Sequence, residues 1–254
     1  MILETSDWII LILTGISAGF IDAVVGGGGL LSIPALLSIG IPPHLTLGTN
    51  KLAASFSSLT SAATYFKNRL FSPSLWFHTI IATATGAVFG SLIVLAIDNA
   101  WLFKILPIII IGVALYTLIH PNAIGCKNTA IPETKPKRRH QWLTGLTLGG
   151  YDGFAGSGVG AFWTIAVSKL YRLPLLNCCG LARSMTLVSN LTALAIFIWQ
   201  SKVDFELGFV LGLFMMIGSY IGAQFAIRYG SPFIKPLFIT MVLCISVYLA
   251  WSAW

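Results

Sequence analysis

The chain has 254 residues, 56% of them apolar and only 9% charged, with a mean hydropathy of +0.87. A soluble domain carries about 25% charge, so this composition excludes that class, and its long continuous apolar runs exclude a β-barrel, whose strands read as short alternating segments. The formal charge of +7 does not imply a nucleic-acid partner, because five of the fifteen Lys and Arg residues lie in one linker, where membrane orientation accounts for them.

A membrane-spanning helix needs about 20 apolar residues. The first apolar run, residues 8–39, exceeds that length and is interrupted by four glycines, Gly26, Gly27, Gly28 and Gly29. It follows Glu4 and Asp7 rather than the basic residues of a signal peptide, so it is expected to be retained. Further runs cover residues 45–66, 76–97 and 101–119. Residues 120–141 then form a polar linker with Lys127, Lys135, Lys137, Arg138, Arg139 and three prolines, expected to be flexible and cytoplasmic. Beyond it come residues 142–170, 175–200, 207–227 and 232–251. The expectation is an all-α integral membrane protein of about eight hydrophobic segments. Two four-segment units, 1–119 and 142–254, flank the linker 120–141, and each opens on a broken or re-entrant helix. Trp76, Trp101, Trp142, Trp251 and Trp254 stand at segment ends and read as interface belts.

The two units read as copies. Asp22 and Asp152, and likewise Gly26 and Gly156, stand 130 residues apart. Lys51 and Arg183, Gly86 and Gly218, and Gly90 and Gly222 stand 132 apart, as do the Leu-Thr pairs at 59–60 and 191–192. Matches at a nearly constant offset over some hundred residues indicate internal duplication, a common feature of secondary transporters. Four full crossings per unit make the repeats parallel, whereas a re-entrant first segment leaves an odd count and inverts them. The loop charges do not choose between these.

Glycines in sequence are poor helix interior, each about 1 kcal/mol worse than alanine. A break at membrane depth is tolerated only where the freed backbone faces protein or a wet cavity. The helix that restarts after a break presents unpaired N–H groups and a partial positive charge, which suit an anion. The alternative is that the glycines only permit tight helix crossing. Lys51 and Arg183, near the starts of the second segments, are not at comfortable snorkelling ends. A cation costs about 3 kcal/mol or more at the bilayer centre, so each is expected to face a partner or a cavity. Together they can clamp an oxyanion, arginine in bidentate fashion and lysine as a point charge; interfacial snorkelling is the alternative. Asp22 and Asp152 repel an anion unless protonated or paired with these cations. They read equally as proton-coupling groups and as structural groups that cap the restarting helix or bridge within a repeat.

The strings GFIDAVVGGGGLLSIPAL, TNKLAASFSSLTSAATYF and YDGFAGSGVGAF resemble the TauE/SafE family of sulfite-exporter-like permeases, nearest its YfcA-type members, over almost the whole chain. The resemblance implies a multi-pass permease of the bacterial inner membrane for a small sulfur oxyanion or organosulfonate such as sulfite. The second unit departs from the first, with a GxGxG string in place of four glycines and arginine in place of lysine. The expected substrate-binding set is Gly26, Gly27, Gly28, Gly29, Asn50, Lys51, Gly156, Ser157, Gly158, Arg183 and Asn190. Asp22 and Asp152 carry any proton coupling, the mechanism is alternating access, and the partners are a small anion and the lipid bilayer.

Ser57, Ser58 and Ser189 complete a polar lining or merely bond helices together. The histidines at 44, 78, 120 and 140 lack metal-ligand spacing, and no cofactor is expected. Cys178 and Cys179 read as small, lipid-compatible residues. A passive anion channel and a non-transport assembly protein are the alternative functions. An intramembrane enzyme built on Ser157 lacks a histidine near it in sequence.

Overall fold

A computed structural model describes residues 4–106, 108, 137–230, 232–234, 236, 237 and 240. The described residues hold eight principal helices and no strand: α1 (Thr5–Val24), α2 (Gly29–Ser38), α3 (Pro43–Lys67), α4 (Phe77–Leu95), α5 (Arg138–Phe154), α6 (Val159–Tyr171), α7 (Leu175–Trp199) and α8 (Phe205–Tyr229). Residues 99–106 are also helical. Most of the expected segments at 101–119 and 232–251, most of the 120–141 linker, and Trp251 and Trp254 lie outside the described residues. Helix α5 begins at Arg138, so the last residues assigned to the linker form its first turn. There Gln141 is buried and accepts hydrogen bonds from the backbone and hydroxyl of Thr79.

Burial is inverted relative to a soluble protein. Lys51, Asp152 and Arg183 are buried while Leu13, Phe89, Phe209 and Leu213 are exposed, the distribution a lipid solvent selects. Helices α1, α4, α7 and α8 are long and apolar enough to cross a membrane. Helix α3 is equally long but carries a run of serines and threonines. Ser55, Ser58, Ser61 and Thr64 donate to carbonyls four residues back, at 2.7–3.0 Å. Those bonds let a polar helix sit almost wholly inside the bundle. Trp76 is a correction to the expected belts, since it is buried with its ring 4.9 Å from that of Tyr171. Trp101 and Trp142 are exposed.

Contact register gives each helix its direction. Gly15 and Gly19 of α1 lie against Leu211 and Met215 of α8, and Gly222 lies against Phe20, so α1 and α8 run parallel. Gly145 and Gly153 of α5 lie against Thr79 and Ala87 of α4, again parallel. A side chain at Gly19 would collide with the Met215 carbonyl, and one at Gly149 with the Thr83 carbonyl, so both pairs approach backbone to backbone as small residues permit. Helices α3 and α7 cross antiparallel, with Gly48 beside Phe197, Lys51 bonded to Asn190 and Gly180 beside Leu70.

Helix α2 spans only 10 residues, about 15 Å at 1.5 Å per residue, half a bilayer core. It returns alongside α1. Leu36 shares a buried cluster with Leu11, and a side chain on Gly28 would lie 2.9 Å from the carbonyl of Ala18. A helix continuing straight would carry residue 28 about 15 Å past residue 18, so the chain re-enters.

Candidate functional site

Both apolar runs break where glycine is found. Helix α1 stops at Val24 and α2 starts at Gly29, with Gly26 between them at φ +88°. Helix α5 stops at Phe154 and α6 starts at Val159, with Gly156 at +73° and Gly158, the residue before α6, at +70°. These angles lie in the left-handed region that side chains avoid. The two breaks touch one another. A side chain on Gly160 would lie 2.6 Å from the Gly26 Cα, and one on Gly29 would lie 3.3 Å from the Ser157 Cα. Two tyrosines pin the segments, buried Tyr65 donating to the Ala23 carbonyl at 3.1 Å and half-buried Tyr151 to the Ser157 carbonyl at 2.7 Å.

At this crossing the cations meet the aspartates of the opposite unit. Lys51 Nζ on α3 lies 2.6 Å from Asp152 Oδ1 on α5, and it also donates to the Asp152 carbonyl at 2.5 Å and to Asn190 Oδ1 at 3.1 Å. All three ammonium hydrogens therefore have acceptors. Arg183 on α7 pairs with Asp22 on α1, its Nη1 donating to the Asp22 carbonyl and lying 3.8 Å from Asp22 Oδ1. The two pairs cross: a cation of each unit meets an aspartate of the other. Each cation also lies against the positive-φ glycine of the opposite break, Lys51 against Gly156 and Arg183 against Gly26. A side chain at either glycine would stand where the cation stands.

The other expected residues are distributed unevenly. Gly28 N donates to Asp22 Oδ1 at 3.4 Å, so Asp22 both caps the restart of α2 and faces Arg183. The bridges of both aspartates run between the units, not within one. Asn50 Oδ1 accepts from Ser32 at 2.5 Å and ties α3 to α2 rather than meeting either cation. Ser157 is buried, and its hydroxyl has no hydrogen-bond partner among the described residues. Ser57 and Ser189 matter more than sequence reasoning allowed. Ser57 donates to Asp22 Oδ2 at 2.8 Å, and Ser189 donates to Asp152 Oδ2. They stand 132 residues apart, the same offset as Lys51 and Arg183, and that spacing was the available signal. Gly160 was missed because its role is to leave room for the Arg183 guanidinium.

Two cavities, about 440 Å³ between α4 and α5 and about 280 Å³ between α3, α4 and α7, are lined almost entirely by apolar side chains and by none of the four charged residues. The charged cluster is closed off from both. Among the described residues no three His, Cys, Asp or Glu side chains gather in a way that could hold a metal ion. What the cluster offers chemically is charge balance at depth: two cations, two carboxylates and the ends of two half-length helices in one contact.

The family model described as "Sulfite exporter TauE/SafE" matches residues 11–249. The chain is 35% identical over 237 residues to a probable membrane transporter protein of Haemophilus influenzae, covering 91% of this chain and 90% of that protein. It is 31% identical over 248 residues to the probable membrane transporter protein YfcA of Escherichia coli (strain K12), covering 96% and 90%. A probable membrane transporter protein, ORF9, of Sinorhizobium sp is also 31% identical, over 91% of this chain and 88% of that protein. No solved structure matches.

Proposed function

The chain belongs to the sulfite exporter TauE/SafE family, and on that premise we propose that it is a permease moving a small oxyanion by alternating access between two inverted repeats. The class, a membrane transporter, is the one its relatives' names carry. The repeat reading is supported by element ends that keep the sequence offsets. Helix α3 spans 43–67 and α7 spans 175–199, both 25 residues, while α1 and α5 end at 24 and 154. The inversion is supported by direction: α3 and α7, equivalent by those offsets, run antiparallel. Half-length helices starting at the contact of the repeats are how many secondary transporters build midplane sites.

The observation that carries the functional reading is the crossed pair of buried bridges, Lys51–Asp152 and Arg183–Asp22. Both join opposite repeats, so rocking one repeat against the other changes the two bridges together. The four charges sum to zero, and a monoanion entering this closed cluster leaves one uncompensated negative charge at depth, which is expensive. Displacing a carboxylate from its cation and protonating it restores neutrality, so anion and proton move together. Asp22 is the better placed carboxylate, because it is 14% exposed against 1% for Asp152.

The test is solute flux in liposomes holding the purified protein, with sulfite, sulfate, thiosulfate, sulfonates and carboxylates offered in turn. Saturable uptake of one oxyanion with matching proton movement is expected, and Lys51→Ala and Arg183→Ala each abolish it. Flux linear in concentration with no proton movement identifies a channel, and no flux of any anion overturns the reading.

A further inference from the structure

The two cations are equivalent by sequence offset but not by bonding. Lys51 has three acceptors within 3.1 Å and no donor left over. Arg183 is fully buried, yet only Nη1 is engaged, and neither Nε nor Nη2 has a hydrogen-bond partner among the described residues. On a planar guanidinium Nε–H and the adjacent Nη2–H point the same way, a fork spaced to meet two oxygens of one anion. Leaving such donors buried and unmet is expensive, and a bound ion is one of the few explanations a folded protein admits. The second orphan at this crossing is the Ser157 hydroxyl, in the break that touches Gly29.

Resting on the permease reading, we propose that the anion is seated by Arg183 alone among the cations, through its Nε and Nη2 edge, with Ser157 as a further donor, while Lys51 holds the repeats together. The seat then selects anions by shape. It takes small oxyanions that present two oxygens on one edge, as a carboxylate, a sulfonate or sulfite does, and it gives no such advantage to a spherical halide of the same charge. Gly26 and Gly160 crowd the same guanidinium, so the anion reaches the edge only as the two breaks part.

Calorimetric titration of detergent-purified protein with sulfite, methanesulfonate, acetate and bromide tests this. Wild-type protein is expected to bind at least one of the oxyanions at least tenfold more tightly than bromide. Arg183→Lys keeps the charge and removes the fork, so it should lose tenfold or more in oxyanion affinity and leave bromide within about threefold. Ser157→Ala should weaken oxyanion binding several-fold in a protein whose unfolding temperature is unchanged. If Arg183→Lys does not fold, the wild-type preference and the Ser157→Ala loss carry the test. Oxyanion preference intact in Arg183→Lys, no preference over bromide in the wild type, or full affinity in Ser157→Ala overturns the seat. Wild-type protein that binds no anion fails the permease reading itself.

Discussion

The two bridges at the centre occupy equivalent places and are built to different standards. Lys51–Asp152 is closed, with the carboxylate 2.6 Å from the ammonium, Asn190 as a further acceptor, Ser189 on the other carboxylate oxygen and both residues buried. Arg183–Asp22 is open, with the carboxylate 3.8 Å from the guanidinium and partly exposed. The two cations differ in kind, and so do their neighbours, Asn190 having Ser58 as its counterpart at the 132-residue offset. Lysine is a compact charge that three acceptors can enclose, whereas arginine is a fork that a single carbonyl cannot satisfy. By sequence offset the two bridges are counterparts, yet one is fully enclosed and the other leaves guanidinium donors without a hydrogen-bond partner among the described residues.

The largest effect expected from this contrast is on folding. Asp152→Ala leaves the Lys51 ammonium buried without its counter-charge, a loss of roughly 3–5 kcal/mol for a buried pair. Asp22→Ala removes a longer bridge, 3.8 Å against 2.6 Å, and leaves Arg183 with its contact to the backbone carbonyl of residue 22, so it should lose less than Asp152→Ala does. Thermal unfolding in detergent measures both. Equal losses would mean that the two bridges are not of different kinds. The double change Lys51→Met with Asp152→Leu should recover much of the loss, because apolar replacement of a buried pair is often neutral or better.

Next in size are the glycines under each cation. Alanine in the left-handed region costs about 1–2 kcal/mol at either position. At Gly156 the close contacts of the added methyl are side-chain ends, Lys51 Nζ at 2.9 Å and Asp152 Oδ1 at 3.3 Å, with the Asp152 carbonyl at an ordinary 3.5 Å. At Gly26 it meets the Gly160 backbone as well as the guanidinium. Gly26→Ala should therefore reduce anion flux and unfolding temperature more than Gly156→Ala does, and the reverse order would refute the packing argument.

Of the same order is the contribution of the serines that brace the carboxylates. Ser57→Ala and Ser189→Ala each remove one hydrogen bond to a charged acceptor, a loss of about 1.5–3 kcal/mol when the acceptor stays buried. Asp22 keeps the Gly28 amide as a second donor and is 14% exposed, so Ser57→Ala should fall below that range and Ser189→Ala within it. Denaturation of the two variants side by side reads the difference.

Much of this was legible in the sequence. Four glycines in an apolar run forecast the break, and the 130-residue offset forecast the second one at Gly156. Cations too deep to snorkel forecast buried partners for Lys51 and Arg183. What sequence could not supply was which aspartate meets which cation, because that depends on the antiparallel crossing of α3 and α7, and loop charges left the direction of the repeats open. Trp76 was misread for a related reason. A tryptophan at a helix end looks the same whether it meets lipid or, as here, the ring of Tyr171 across the bundle. Asn50 was expected either in a polar lining or in a bond between helices, and in the structure it bonds to Ser32 across α2 and α3.

The most subtle expectation concerns slope rather than amplitude. If anion and proton share the cluster, flux should rise as the pH on the anion side falls, and one carboxylate should carry most of that dependence. Asp152 is enclosed by Lys51 and Ser189 and is only 1% exposed. Asp22 faces Arg183 from α7, Ser57 from α3 and the Gly28 amide, and it keeps an exposed edge. Asparagine keeps the shape of either residue and removes its titration. Asp22→Asn should flatten the pH profile of flux in liposomes while leaving a measurable rate. Asp152→Asn should lower the rate through loss of the tight bridge and keep the wild-type slope. Should both variants keep the wild-type profile, the carboxylates are structural and the anion travels without a proton. Should Asp152→Asn alone flatten it, the tight bridge rather than the open one is where the proton enters.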